Sequence, residues 1–271
     1  MSLLAWVALA GVLVAAISLA MMWRARSESV RLRRRIEDAV MELQNLQLAF
    51  SRFAPEALVE EIIATGLPTS GERKEVTVLF ADLVGYTPLA ERVEPSQLVE
   101  ILNGCFERLS GAITEHRGHV GTFIGDGILA FFGMLEPNPW QADDAVRAAL
   151  AMRAALADYN RELEAKGLPT LAVGVGLHRG SGVAALVGSR ERKEFTLVGR
   201  TINVAARVQG WTRQEQADLL LTEDVKAGLD PRFVLKEVPA AELKGIEGPV
   251  RLWAIEGVQA EGTASPAAPP G

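Results

Sequence analysis

Two aspartates could do chemistry in this chain. The first, Asp82, sits in the run Glu75 to Thr87, E-V-T-V-L-F-A-D-L-V-G-Y-T. Val76, Val78 and Phe80 alternate with Thr77 and Leu79, and so short an apolar run reads as a strand buried on both faces. A carboxylate at the mouth of such a strand is costly unless something positive meets it. Alone, it reads equally as a turn or helix-capping residue. The second, Asp126, lies in Val120 to Gly133, V-G-T-F-I-G-D-G-I-L-A-F-F-G, where two apolar runs flank Gly125-Asp126-Gly127. That is the turn chemistry of a tight β-hairpin, and taken singly it is a common D-G turn. If the hairpin pairs with the strand ending at Asp82, the two carboxylates meet on one rim. With water and phosphate oxygens they make an all-oxygen donor set suited to Mg2+ or Mn2+. Two such ions ~3.5–4 Å apart clamp an in-line displacement at phosphorus.

Four motifs, in order from Glu75 to about Glu256, resemble the catalytic domain of the class III adenylate and guanylate cyclases. F-A-D-L-V-G-Y-T with Asp82 resembles the family's first metal motif, and F-I-G-D-G-I-L-A-F-F-G with Asp126 its second. F-T-L-V-G-R-T-I-N-V-A-A-R, Phe195 to Arg207, places Asn203 and Arg207 one helical turn apart, as the family does. Leu243-Lys244-Gly245 followed by Pro249-Val250 resembles its late K-G motif.

The resemblance implies attack of the 3′-oxygen of a nucleoside triphosphate on its own α-phosphorus, with release of pyrophosphate. Asp82 and Asp126, with the Leu83 carbonyl, would hold two Mg2+ or Mn2+ ions per site. Arg207 would stabilise the transition-state phosphate, Asn203 orient the ribose and Lys244 hold the terminal phosphates. Gly85, Tyr86 and Thr87, completing the first motif, would line the substrate. Because the family takes the aspartates and the Asn/Arg pair of one site from different protomers, it implies a homodimer with sites at the interface. The chain departs from the family where the purine is chosen. Adenylate cyclases usually carry Lys at the position of Thr122, paired with Asp or, in bacterial members, often Thr, here Thr196. Guanylate cyclases would show Glu and Cys. Thr196 can donate and accept a hydrogen bond, so it can address adenine, and ATP is the expected substrate. The alternatives are a cyclase with relaxed purine selectivity that accepts GTP, and a catalytically silent module used for dimerisation or nucleotide sensing.

The elements that must position these residues follow from periodicity. Ser96 to His116 repeats apolar residues at helical spacing, including Cys105, and a long Ala-rich helix is expected from about Gln141 to Lys166. Leu171 to Leu177 and Val183 to Val187 read as two strands. The order β-α-β-β-α-β is the ferredoxin-like arrangement of an α+β fold, extended by strands at Leu219 to Leu221, Phe233 to Val238 and Val250 to Ile255. The catalytic domain is then residues 75–257, with a tail at 258–271 too poor in apolar bulk to fold. His116, His119 and His178 fit no metal spacing. Arg190 to Lys193 reads as a solvated loop, and Trp140 and Trp211 as packing residues.

Upstream, Leu3 to Trp23 carries no charge and matches the hydrocarbon thickness of a bilayer. Trp6 and Trp23 stand near its ends, and arginines at 24, 26, 31 and 33–35 follow. Residues 1–23 are therefore expected to form a single transmembrane helix in the cytoplasmic (inner) membrane, with the C-terminal bulk in the cytoplasm. A cleaved signal peptide fits less well, because its positive charge would precede the apolar run. With only Met1 and Ser2 ahead of the span, no outer sensor is expected. Leu32, Ile36, Ala39, Leu43, Leu46, Phe50 and Phe53 alternate by four and three, a coiled-coil seam within residues 24–54 that favours a parallel dimer over a helix packed on its own domain. Residues 55–74 read as a connector. A net charge of −6 suggests no nucleic-acid partner, and a single cysteine excludes an intrachain disulfide.

Overall fold

The computed structural model describes residues 71–189 and 193–259, together with Met22, Arg24, Ile36, Val40 and Met41. Those five isolated residues are helical and exposed. The expected membrane span and coiled-coil seam otherwise lie outside the described residues, as do residues 55–70 of the expected connector and 260–271 of the expected tail; the strands of the domain extend into both, to Glu72 and to Val258. Among the described residues, no helix is long and apolar enough to cross a membrane.

Residues 72–258 fold as one sheet with helices on both faces. Its strands are β1 (Glu72–Val84), β2 (His119–Ile124), β3 (Gly127–Phe132), β4 (Ala172–Gly188), β5 (Lys193–Val198), β6 (Leu219–Thr222), β7 (Phe233–Ala241) and β8 (Val250–Val258). The helices are α1 (Tyr86–Arg92), α2 (Pro95–Glu115), α3 (Gln141–Ala165), α4 (Arg200–Glu215) and the short α5 (Glu223–Lys226). Strand order is β2-β3-β1-β4-β6-β8-β7, with β5 pairing β4. The first four strands, taken with α2 and α3, reproduce the ferredoxin-like order expected from the sequence.

β1 is an inner strand, between β3 and β4, and its Val76, Thr77, Val78 and Leu79 are fully buried. Its side chains divide between two cores, as the period of two requires. Leu79, Ala81 and Leu83 join Ile101, Cys105 and Leu109 of α2 and Val146 and Met152 of α3. Val76 and Val78 pack instead with Leu129 and Phe131 of β3 and Ala205 of α4. Cys105 is wholly buried, and burial pushes its thiol up to about 12, so it behaves as a small core side chain.

Three expectations need correction. The strands read at Leu171–Leu177 and Val183–Val187 are one, β4, which runs without a break through Gly180, Ser181 and Gly182. These glycines do not turn the chain. A Cβ at Gly182 would stand 2.6 Å from the Leu197 side chain of β5, and one at Gly180 would stand 3.0 Å from Thr201 of α4, so they mark close neighbours. Lys193, expected in a loop, opens β5. Trp140, expected to pack, is 59% exposed at the start of α3, while Trp211 does pack, against the cluster around Val204, Val208 and Leu252.

Candidate active site

β1 pairs antiparallel with β3 in a register that sets Asp82 opposite Gly127, the first residue after the hairpin turn. The turn itself is two residues, because Ile124 pairs with Gly127 and only Gly125 and Asp126 lie between. Gly125 has φ +62°, a conformation that favours glycine at the first central position of a hairpin turn. Asp126 is thus lifted out of the sheet at the end where β1 delivers Asp82. Gly127 serves a second purpose, since a Cβ there would stand 2.9 Å from the Ala81 carbonyl and 3.3 Å from Asp82 Oδ1.

The two carboxylates meet as the sequence reading required. Burial first, and then the Asp126 carboxylate within hydrogen-bonding reach, raise the Asp82 carboxyl above its ordinary value. Arg213, in the last turn of α4, opposes this, its Nη2 donating to Asp82 Oδ2 at 2.9 Å. Arg213 belongs to none of the four sequence motifs. Its partner lies 131 residues earlier, and no local motif connects them.

α4 reaches this end of the sheet because β4 offers it glycine. Gly174, opposite Asp82, and Gly176, opposite Phe80, lie under Gln209 and Thr212 of the helix. A Cβ at Gly176 would stand 2.7 Å from both the Ala205 carbonyl and Gln209 Cα, so only glycine lets the helix seat so closely.

The other expected site residues are distributed. Leu83 is buried directly after Asp82, and Gly85 takes φ +78° as the cap of α1, which begins with the half-buried Tyr86 and the exposed Thr87. Thr122 is half-buried on β2, opposite Leu129, just after an irregularity at Gly121. Thr196 is half-buried on β5 opposite Ala185. Lys244 is exposed in the β7–β8 loop, held by its buried neighbour Leu243. Asn203 and Arg207 share one exposed face of α4. Among the described residues, no hydrogen bond or ion pair joins either of them, or Lys244, to the two aspartates. Thr196 stands far from Asp82: Gly174, the partner of Asp82, and Ala185, the partner of Thr196, are eleven positions apart on β4, about 35 Å at the rise of a strand.

As a metal site, the pair offers only hard oxygens, and two carboxylates this close gain from a shared cation, so the donor set fits Mg2+ or Mn2+. No group of three or more His, Cys, Asp or Glu residues that could hold a metal occurs among the described residues. His119 and His178 are half-buried, and the loss of solvent around them lowers both rings to about 4 and keeps them neutral. His178 Nδ1 lies 2.9 Å from Thr222 Oγ1.

The sheet order, with paired aspartates at the end of β1 and in the adjoining hairpin turn, fits a nucleotidyl cyclase catalytic domain. The comparisons agree, and the chain belongs to the class III cyclases: the family described as the adenylate and guanylate cyclase catalytic domain matches residues 69–257. An adenylate cyclase of Anabaena cylindrica is 31% identical over 219 residues, covering 77% of this chain and 43% of that protein. Adenylate cyclase 1 of Rhizobium meliloti is 28% identical, covering 82% and 34%. The chain therefore spans less than half the length of these relatives. Among solved structures, the guanylyl cyclase Cya2 aligns with a TM-score of 0.65 at 28% identity, covering 72% of this chain and 98% of that one. The adenylyl cyclase CyaB from P. aeruginosa shares the fold, with a TM-score of 0.65 at 24% identity, covering 70% and 97%.

Proposed function

We propose that the chain is a homodimeric adenylate cyclase, anchored in the cytoplasmic membrane by residues 1–23, that converts ATP to 3′,5′-cyclic AMP and pyrophosphate. The observation that carries the reading is the convergence of Asp82 and Asp126 at one end of β1. Asp82, Asp126 and the Leu83 carbonyl are the groups that would hold Mg2+ or Mn2+. The ions, when bound, supply charge for the triphosphate and a polarised 3′-oxygen. The residues of the chain do the rest by position and charge. Arg207 meets the charge that develops on the α-phosphate, Asn203 fixes the ribose, and Lys244 holds the terminal phosphates. Gly85, Tyr86 and Thr87 lie beside them, and Thr122 and Thr196 face the base.

The distance along β4 supports the dimer. One bound nucleotide cannot touch Asp82 and Thr196 of the same chain across about 35 Å, but a second copy can bring its own Thr196, Asn203 and Arg207 to the first copy's aspartates. Exposed apolar residues stand where such a partner would cover them: Val84, Phe123 and Ile124 near the aspartates, and Val187 and Val198 on the β4–β5 hairpin. The complementation experiment tests this. Asp82→Asn and Arg207→Ala chains should each be inactive alone, and co-expression should restore Mn2+-dependent cyclic AMP formation through one intact site per heterodimer. Proven heterodimers without activity would refute the shared site.

The apolar run Leu3 to Trp23 and the arginines behind it support the anchor, and the spacing from Leu32 to Phe53 supports a coiled coil that brings two domains together. Recovery of the intact chain in the supernatant after membranes are sedimented would overturn the anchor. An unchanged oligomeric state in a Leu43→Asp, Leu46→Asp variant, measured by light scattering, would overturn the coiled coil.

A second reading is favoured by one observation. Neither Thr122 nor Thr196 carries the charge that would reject guanine, so GTP is the competing substrate. Parallel turnover measurements with ATP and GTP decide between them.

A further inference from the structure

Asp82 presents its two oxygens to different neighbours. Oδ1 is on the hairpin side, 3.3 Å from where a Gly127 Cβ would stand, and Oδ2 accepts from Arg213 Nη2 at 2.9 Å. Arg213 lies in the last turn of a helix whose C-terminal dipole favours a cation. Its side chain remains 55% exposed while that of Asp82 is 24% exposed, so the guanidinium has solvent to withdraw into and the carboxylate does not. The phase of the helix also matters. At 3.6 residues per turn, Arg213 points about 100° away from the mean direction of Asn203 and Arg207. It lies about 9 Å further along the axis than Arg207. The face bearing Asn203 and Arg207 is open, whereas Arg213 turns inward to the aspartate of its own chain.

We propose that Arg213 is a resident counter-cation of the carboxylate pair: it holds Asp82 in the metal-free protein and competes with the divalent ion for the same oxygen. The inference rests on the two-aspartate reading above, and assigns to a residue outside the four sequence motifs a part in setting metal affinity. Two carboxylates within hydrogen-bonding reach repel each other in the absence of a cation. A guanidinium at one of them relieves that repulsion, and the ion pair must break before Oδ2 is available to another ligand. α4 then serves two sites of a dimer, offering Asn203 and Arg207 outward and Arg213 inward. The pair also sets a threshold, since the site is occupied by the protein's own charge until the divalent ion is concentrated enough to displace it.

The test needs no turnover. Metal-stripped full-length protein is titrated with Mn2+ in the absence of nucleotide, and free Mn2+ is followed by its electron paramagnetic resonance signal. Arg213→Ala should bind Mn2+ about three- to tenfold more tightly than wild type, the scale of losing a partly exposed competing ion pair and a neighbouring positive charge. In EDTA the same variant should melt below wild type, and Mn2+ should raise its melting temperature by more. Arg161→Ala removes one positive charge from the surface pair with Asp158 and should leave Mn2+ affinity unchanged. Should Arg213→Ala fail to fold, Arg213→Gln carries the same expectation. Equal or weaker Mn2+ binding in the Arg213 variant, or an equal gain in Arg161→Ala, would overturn the proposal while wild-type binding that is lost in Asp126→Asn kept the two-aspartate reading intact. Absence of Mn2+ binding in wild type and variants alike would overturn both.

Discussion

Replacing Gly176 by alanine isolates the packing that seats α4. The added Cβ would stand 2.7 Å from the Ala205 carbonyl oxygen and from Gln209 Cα, against ~3.5–4.0 Å for ordinary contact. Both neighbours are helix backbone, so no rotamer relieves the clash and α4 must move off the sheet by about 1 Å. Overpacking of this kind costs ~1–3 kcal/mol, which for a domain of this size lowers the melting temperature by roughly 3–10 °C. The effect on turnover should be larger in proportion, since α4 carries Asn203, Arg207 and Arg213. A displacement of about 1 Å in positioning groups can cost on the order of a hundredfold. Gly174→Ala is the internal comparison. A Cβ there meets the Thr212 hydroxyl and, at 3.2 Å, Gln209 Nε2, which are side-chain atoms rather than helix backbone. Thermal melting and Mn2+-ATP turnover of the two variants should therefore rank Gly176→Ala well below Gly174→Ala. Wild-type melting and rate in Gly176→Ala, or the reverse ranking, would show that the helix is not held by contact at Gly176.

Asp82→Asn and Asp126→Asn should each abolish turnover while leaving the thermal melt within a few degrees of wild type; near-normal activity in either would refute the assignment. Thr122→Lys should raise kcat/KM for ATP over GTP by roughly tenfold to a hundredfold, the worth of one hydrogen bond from a charged donor to a ring acceptor of adenine. A loss of ATP preference instead would mean that Thr122 does not face the base. Burial lowers His178 to about 4, so between its unfolded value near 6.5 and about 4 the unfolded chain takes up a proton that the folded one refuses. Stability should fall as pH drops through that window, by up to roughly 3 kcal/mol from this residue. Urea melts at pH 7.5 and 4.5 should show a smaller loss in His178→Gln, and an equal loss would refute the contribution.

The aspartates were legible because each is marked locally, Asp82 by the apolar run it ends and Asp126 by the glycines around it. The four-stranded heart of the sheet followed from the same periodicities. The gap between the two strands read at Leu171–Leu177 and Val183–Val187 is spanned by Gly180-Ser181-Gly182, and only the approach of Leu197 and Thr201 reveals that these glycines mark crowding within one strand. Trp140 misled because a large aromatic side chain implies burial, and only the start of α3 shows it facing solvent. Arg213 was beyond reach for a different reason. Its direction depends on where α4 rests, which depends in turn on Gly174 and Gly176, so nothing within one helix turn of it announces a partner on β1.

The place of β1 has a consequence for how the chain is made. β1 takes β3 on one side and β4 on the other, and β4 ends more than a hundred residues after β1 begins. As the chain emerges from the ribosome, β1, β2 and β3 can assemble early. The far edge of β1 then stays unpaired until β4 has been synthesised. That edge belongs to a strand whose middle, Val76 to Leu79, is fully buried in the finished fold. It is an open template for another nascent chain through the whole synthesis of α3. A cell making this protein quickly should therefore lose part of it to aggregation, and slower synthesis at lower temperature should recover soluble material without any change in the stability of the finished fold.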